Sequence, residues 1–288
     1  MAHCEASVKG NLECNGQGLL AMKRTSDVYR LSPQSIIVLT VTSAIALLGF
    51  IWPFFYTGNL HWIFAVAIAA SAFLLISEIG IGSIDAKSIA LLGVMSAFIT
   101  LLRPLGAGAA GLEPIWFALI VAARVFGASW GFLLGVTSMT SSALITGGVG
   151  PWLPYQIFAA GWIGLLAGLL PQKIGRREIR GLSEKAMLIV MGIFASFVFG
   201  LLMDLQFWPW VLGRSTELSY IPGAPLNENI SRFIAFHFAS SMAWDVPRAI
   251  LTSALIAVTA TPFLHALRRT HFKAAFISPI EFKANAQG

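Results

Sequence analysis

The sequence predicts an all-α integral membrane protein with eight spans. Mean hydropathy is +0.77. Charged residues make up 11% of the chain, against about 25% in a soluble domain. Apolar runs recur from residue 35 to residue 267, most of them near the roughly 20 residues needed to cross a hydrocarbon core of about 30 Å.

Residues 1–34 form a polar, largely disordered tail that holds both cysteines, Cys4 and Cys14. Neither belongs to a CxxC pair or a disulfide framework. The first apolar run begins near Ser35 and is long enough to span rather than be cleaved as a signal. Met22, before Lys23 and Arg24, is an alternative start. The spans run over 35–55, 61–79, 86–102, 114–126, 128–146, 151–170, 186–208 and 244–267. The fourth is short and needs a tilt or close neighbours to cross; Pro114 suits its first turn. The sixth opens on a rigid aromatic mouth, Gly150-Pro151-Trp152-Leu153-Pro154-Tyr155-Gln156. It continues with small residues at Ala159, Ala160, Gly161, Gly164, Ala167 and Gly168 that let other helices approach closely. From Trp152 to Leu170 is about 19 residues, or roughly 28 Å of helix. Between the seventh and eighth spans, Trp208–Trp244 is broken by Pro and Gly and contains Ile230–Phe238, an amphipathic stretch suited to the membrane surface. Asp245 opens the last helix as a cap with Pro247 in its first turn, and Arg268 and Arg269 close it.

Charge sets the orientation. With a cytoplasmic N-terminus, the inner segments hold Lys9, Lys23, Arg24, Arg30, Lys87, Arg124, Lys173, Arg176, Arg177, Arg180, Lys185, Arg268, Arg269, Lys273 and Lys283; Arg103, Arg214, Arg232 and Arg248 lie outside. The positive-inside rule then puts both termini in the cytoplasm, with the chain in the plasma membrane. The same distribution explains the net charge of +6 without nucleic acid. The loop Gln172–Lys185 reads as a topology signal, with contact to anionic lipid or an acidic partner as its second reading.

Charged groups near spans need a partner or a function. Arg103, Glu113, Asp204 (with Gln206), Asp245 and Arg248 all fall at outer helix ends, level with Trp152, Tyr155 and Gln156. Helix ends converging there outline a small-molecule pocket with aromatic walls and few polar groups. Trp152 and Tyr155 are ring-stacking candidates, Gln156 a directional hydrogen bonder, and Arg103 or Arg248 a partner for an anionic group. Glu78 and Asp85 face the inner side, and His237 reads as interfacial. No HExxH, Cys/His cluster or phosphate loop is present, so no metal, cofactor, ATPase or enzyme activity is expected. In the third span, Ala86-xxx-Ala90 and Gly93-xxx-Ala97 make a smooth stripe that suits packing within the chain or docking of a separate subunit.

Residues 86–269 resemble the substrate-binding S component of an energy-coupling factor (ECF) vitamin transporter. The resemblance rests on the mouth motif followed by Phe158-Ala159-Ala160-Gly161, on the small-residue stripe, and on Asp245-Val246-Pro247-Arg248-Ala249 opening a helix that closes on Arg268-Arg269. It implies a six-helix S-component-like bundle, and the chain departs from the family's pattern by two additional N-terminal transmembrane helices, 35–55 and 61–79. The domains are then a tail over 1–34, a two-helix extension over 35–80, the substrate-binding domain over 86–269 and a second tail over 270–288. It also implies a receptor for a vitamin or related micronutrient, closed by the segments 104–113 and 208–244. That receptor would dock by Ala86, Ala90, Gly93 and Ala97 onto a transmembrane coupling subunit driven by an ATPase pair. Competing readings are a stand-alone secondary transporter, disfavoured by the absence of internal repeats, and an intramembrane lipid-modifying enzyme, disfavoured by the absence of paired acids.

Overall fold

A backbone immersed in lipid must satisfy its own N–H and C=O groups, and the described residues do so by coiling almost throughout. The computed structural model describes residues 5–6, 12–13, 33–55, 86–106, 111–211 and 216–275. The helices are α1 (Pro33–Ile51), α2 (Ala86–Leu102), α3 (Ile115–Phe126), α4 (Ala128–Thr146), α5 (Leu153–Leu169), α6 (Leu182–Val211), α7 (Leu226–Ser240) and α8 (Met242–Ala275). Short 3-10 turns, Trp52–Phe54 and Arg103–Gly106, extend α1 and α2. The strands are two-residue antiparallel pairs: β1 (Glu5–Ala6) with β2 (Leu12–Glu13), and β3 (Lys173–Ile174) with β4 (Arg177–Glu178).

Five stretches are long and apolar enough to cross a membrane: Ile36–Phe54, Ser88–Gly106, Ala128–Thr146, Leu182–Val211 and Met242–Thr270. Ile115–Phe126 and Leu153–Leu169 are shorter apolar helices. Each coincides with a predicted span. The remaining predicted span, 61–79, lies outside the described residues, as do Glu78, Asp85, Cys4 and Cys14.

Helix α3, expected to need a tilt or close neighbours to cross, has the close neighbours and is the axis of the bundle. All its residues from Ile115 to Phe126 are buried. It packs against α4, α5, α6 and α8. A helix that is apolar all round belongs inside, and at 12 residues it covers only about 18 Å.

Helices α4 and α5 make the most extensive contact in the bundle, and their sequences show why. A Cβ on Gly131 would strike the Gly164 carbonyl, one on Gly164 the Gly131 carbonyl, and one on Gly135 the Ala160 carbonyl. The small residues after the mouth motif therefore serve backbone-to-backbone packing within the chain.

Helices α6 and α8 run antiparallel. Gly192 lies against Thr252 and Ile256, and Gly200 against the Asp245 carboxylate, while Glu184 meets Arg268 at the far end. Helix α7 folds back along the last turns of α6, with Phe233 on Trp208 at 5.3 Å and His237 on Asp204 at 2.7 Å.

Helix α1 joins the bundle. Phe50 packs edge-on against Tyr155 at 5.0 Å and tilts on Trp162 at 5.6 Å. The indole N–H of Trp162 donates to Ser43 Oγ at 3.1 Å. Beyond it, Trp52 lies 5.9 Å from Trp210 and 6.2 Å from Tyr220, and Phe54 lies 5.7 Å from Trp208 and 5.9 Å from Phe233.

Helix α2 buries one side on α4, with Ser96 Oγ and Thr137 Oγ1 2.6 Å apart and the Thr100 hydroxyl donating to the Ser138 carbonyl at 3.3 Å. Its other side carries Ala90, Gly93 and Ala97 and is exposed among the described residues. Among the described residues, a Cβ on Gly93 would meet nothing within 4 Å.

Candidate functional site

One end of the bundle gathers the start of α3, the end of α4, the start of α5, the last turns of α6, and the start of α8. The predicted site residues meet there in three groups.

The first group is built on Arg103, in the turn after α2. Its guanidinium donates to Ser142 Oγ at 2.6 Å, to Met139 Sδ at 3.0 Å and to Gln156 Oε1 at 2.9 Å. All three partners are neutral. Among the described residues, no carboxylate lies within ion-pair distance of Arg103. A cavity of about 160 Å³, counting its open mouth, adjoins it and is lined by Ile99, Arg103, Ile115, Ser138, Met139 and Ser142. The residues predicted from sequence as Arg103 and Gln156 are thus in direct contact. Met139, Ser138 and Ser142 were missed. They lie on the apolar-looking α4, where hydroxyls that return to the helix's own carbonyls, such as Ser138 to Leu134 at 2.6 Å, give no sequence signal.

The second group is an ion-pair network around Arg248. The guanidinium donates to Asp245 Oδ1 at 2.6 Å, to Glu113 Oε2 at 3.1 Å and to the Ser196 carbonyl at 3.3 Å. It also lies over the Phe199 ring at 5.0 Å. Glu113 takes a further bond from the Trp116 indole at 2.8 Å. Asp245 is fully buried and accepts the Ser241 hydroxyl at 2.8 Å. Its expected role as a helix cap is therefore corrected. The helix already starts at Met242, and the Asp245 carboxylate turns inward to the Arg248 guanidinium and the Ser241 hydroxyl. A guanidinium attracts a buried carboxylate far more strongly than neutral N–H groups do. Gly200 makes room for this carboxylate, since any Cβ there would overlap it.

In the third group, Asp204 Oδ2 lies 2.7 Å from His237 Nδ1 and 3.4 Å from Ser240 Oγ. His237, read from sequence as interfacial, also helps tie α7 to α6 through Asp204. The i, i+3 spacing of His237 and Ser240 puts both on the face toward Asp204.

The two aromatic candidates part company. Tyr155 is buried at 2% exposure against Phe50, whereas Trp152 is 39% exposed and lies over Gly150. The larger ring cluster at this end is Trp52, Phe54, Trp208, Trp210, Tyr220 and Phe233. The Trp208 indole donates to the Leu218 carbonyl at 2.7 Å, and burial pushes the Tyr220 phenol above its usual range.

The opposite end carries a fourth group that sequence reasoning treated only as a topology signal. Arg124 is buried at 1% exposure. Its Nε donates to Glu184 Oε1 at 2.9 Å and its Nη1 to the Leu170 carbonyl at 2.8 Å. Arg268 meets the same Glu184 oxygen at 2.6 Å. These contacts tie the ends of α3, α5, α6 and α8 together. Of the predicted docking residues, Ala90, Gly93 and Ala97 share the exposed side of α2, and Ala86 opens that helix.

Among the described residues no three of His, Cys, Asp and Glu group as a metal site. Chemically, the Arg103 end offers one cation with neutral partners beside a small cavity, and a second cation already neutralised by two carboxylates. Compared with known proteins, the chain matches no family model, no curated protein and no solved structure.

Proposed function

We propose that this chain is the substrate-capturing membrane subunit of an ECF-type importer, holding a vitamin or related micronutrient at the Arg103 end on the extracellular side. The observation that carries the reading is the contrast between the two arginines. Arg248 has Asp245 and Glu113, so it holds the fold. Among the described residues Arg103 has the neutral Ser142, Met139 and Gln156 as hydrogen-bond partners, with Glu113 acting on it only from beyond ion-pair distance, so it can take an anionic group from a ligand, with Gln156 and Ser142 directing hydrogen bonds beside it. The cavity beside Arg103 is open and narrow, with room for little more than a water molecule. Pockets for whole ligands of this class run to about 300–1,000 Å³, so a complete vitamin enters only as this end opens. Helix α7, held by Asp204 and His237, is the cover that moves.

The exposed side of α2 supports the second half of the proposal. Ala90, Gly93 and Ala97 present a smooth surface with Val94 and Leu101 beside them, suited to a helix of a coupling subunit whose ATPases supply the work.

Mass spectrometry of small molecules retained by the purified protein identifies the ligand. Arg103→Gln and Gln156→Ala then weaken its binding by roughly tenfold or more, the loss expected for a hydrogen bond to a charged group, with expression unchanged. Full affinity in both variants counts against the site.

A further inference from the structure

Between α5 and α6, at the Arg124 end, the chain forms a tight and strongly basic β-hairpin. Lys173 pairs with Glu178 and Ile174 with Arg177. Gly175 makes the turn with φ 60°, a conformation that side chains with a Cβ resist. The hairpin is fixed to the bundle: the Ile179 N–H donates to the Gln172 carbonyl at 3.0 Å, Ile179 is buried, and the Gln172 amide donates to the Arg124 carbonyl at 3.3 Å.

Its outward side combines two features. Lys173, Arg176, Arg177 and Arg180 are exposed, with Arg269 of α8 exposed at the same end. Arg180 has Glu178 at 2.8 Å, and Glu184 is occupied by Arg124 and Arg268. Among the described residues no ion pair forms for Lys173, Arg176, Arg177 or Arg269. Between these cations Ile174 is 72% exposed, and Leu182, at the start of α6, is 81% exposed. A turn that faces only water gains nothing from such apolar side chains. A cationic collar around an apolar tip, at the mouth of a membrane helix, matches the boundary between headgroups and acyl chains.

We propose that this hairpin is seated in anionic phospholipid headgroups of the leaflet at its own end, with Ile174 and Leu182 reaching the acyl boundary and Lys173, Arg176 and Arg177 meeting phosphates. Charge complementarity selects the occupant, because the end richest in Lys and Arg faces the cytoplasmic leaflet, whose lipids are negative. Each cation near such a surface contributes on the order of fivefold in partitioning, so the three together contribute roughly a hundredfold. The inference stands apart from the transport reading.

The test places a spin label at Ile174→Cys in the full chain with Cys4→Ser and Cys14→Ser, reconstituted in nanodiscs of phosphatidylcholine with increasing phosphatidylglycerol. Accessibility to oxygen against a water-soluble nickel chelate reports the depth of the label. The expected result is movement of the label into the oxygen-rich region as phosphatidylglycerol rises, lost when Lys173→Gln, Arg176→Gln and Arg177→Gln are added. All three sites are exposed, so the fold is retained, and an unchanged melting temperature verifies it. Depth independent of phosphatidylglycerol, or unchanged by the three substitutions, overturns the proposal. So does a label already shielded in lipid-free detergent, or shielded only on addition of polyglutamate, which would assign the surface to a protein partner.

Discussion

Arg248 and Arg103 show how differently one residue type acts 145 positions apart in a single chain. Arg248 is 4% exposed, and its removal leaves two carboxylates, Asp245 and Glu113, without a counter-ion. Removing the charge of Asp245 leaves Arg248 still paired with Glu113. Arg248→Gln is therefore expected to destabilise by about 3–5 kcal/mol, as for other broken buried pairs, and Asp245→Asn by distinctly less. Thermal melting of the purified variants and of the double mutant checks this. Equal losses would show that Glu113 contributes nothing. Gly200→Ala acts on the same network from the other side, pushing its Cβ into the Asp245 carboxylate. It should lower the melting temperature though it adds only a methyl group.

Helix pairs separate the two kinds of small residue. Gly164 on α5 has the Gly131 carbonyl where a Cβ would go, whereas Gly93 on α2 has nothing within 4 Å among the described residues. Gly164→Leu is expected to prevent folding, because overpacking at a backbone contact has no side chain that can give way. Gly93→Leu is expected to leave the stability within about 0.5 kcal/mol of the parent, as for surface changes, and, on the proposed function, to keep ligand binding but abolish uptake in cells that supply a coupling subunit. Size-exclusion profiles read the first effect and uptake assays the second. Uptake that survives Gly93→Leu removes α2 as the docking side. At this scale the sequence showed where the small residues were. It did not show that the run after Tyr155 is consumed inside the chain while the stripe of α2 faces away from it.

Across the whole molecule, α1 is the element whose importance sequence left open. Phe50 lies on Tyr155, and Trp52 and Phe54 enter the ring cluster of α6 and α7. Removing residues 1–85 should therefore uncover Tyr155 and Trp208 and lower stability, and Phe50→Ala alone should cost about 3–5 kcal/mol. A truncated chain that melts like the full one would make α1 dispensable. The sequence by itself determined the membrane class, the places of the apolar helices among the described residues and the end at which the charged groups collect. These follow from hydropathy, length and charge, which are local along the chain. Only the tertiary structure decided that Arg248 and Arg124 are neutralised by buried carboxylates, that Asp245 pairs rather than caps, that α3 is the axis, and that Arg103 keeps neutral partners. Those outcomes depend on which residues meet across 60 or 135 positions of sequence, as in Arg124–Glu184 and Arg248–Glu113. In a chain whose helices are apolar on nearly every side, periodicity does not encode such meetings.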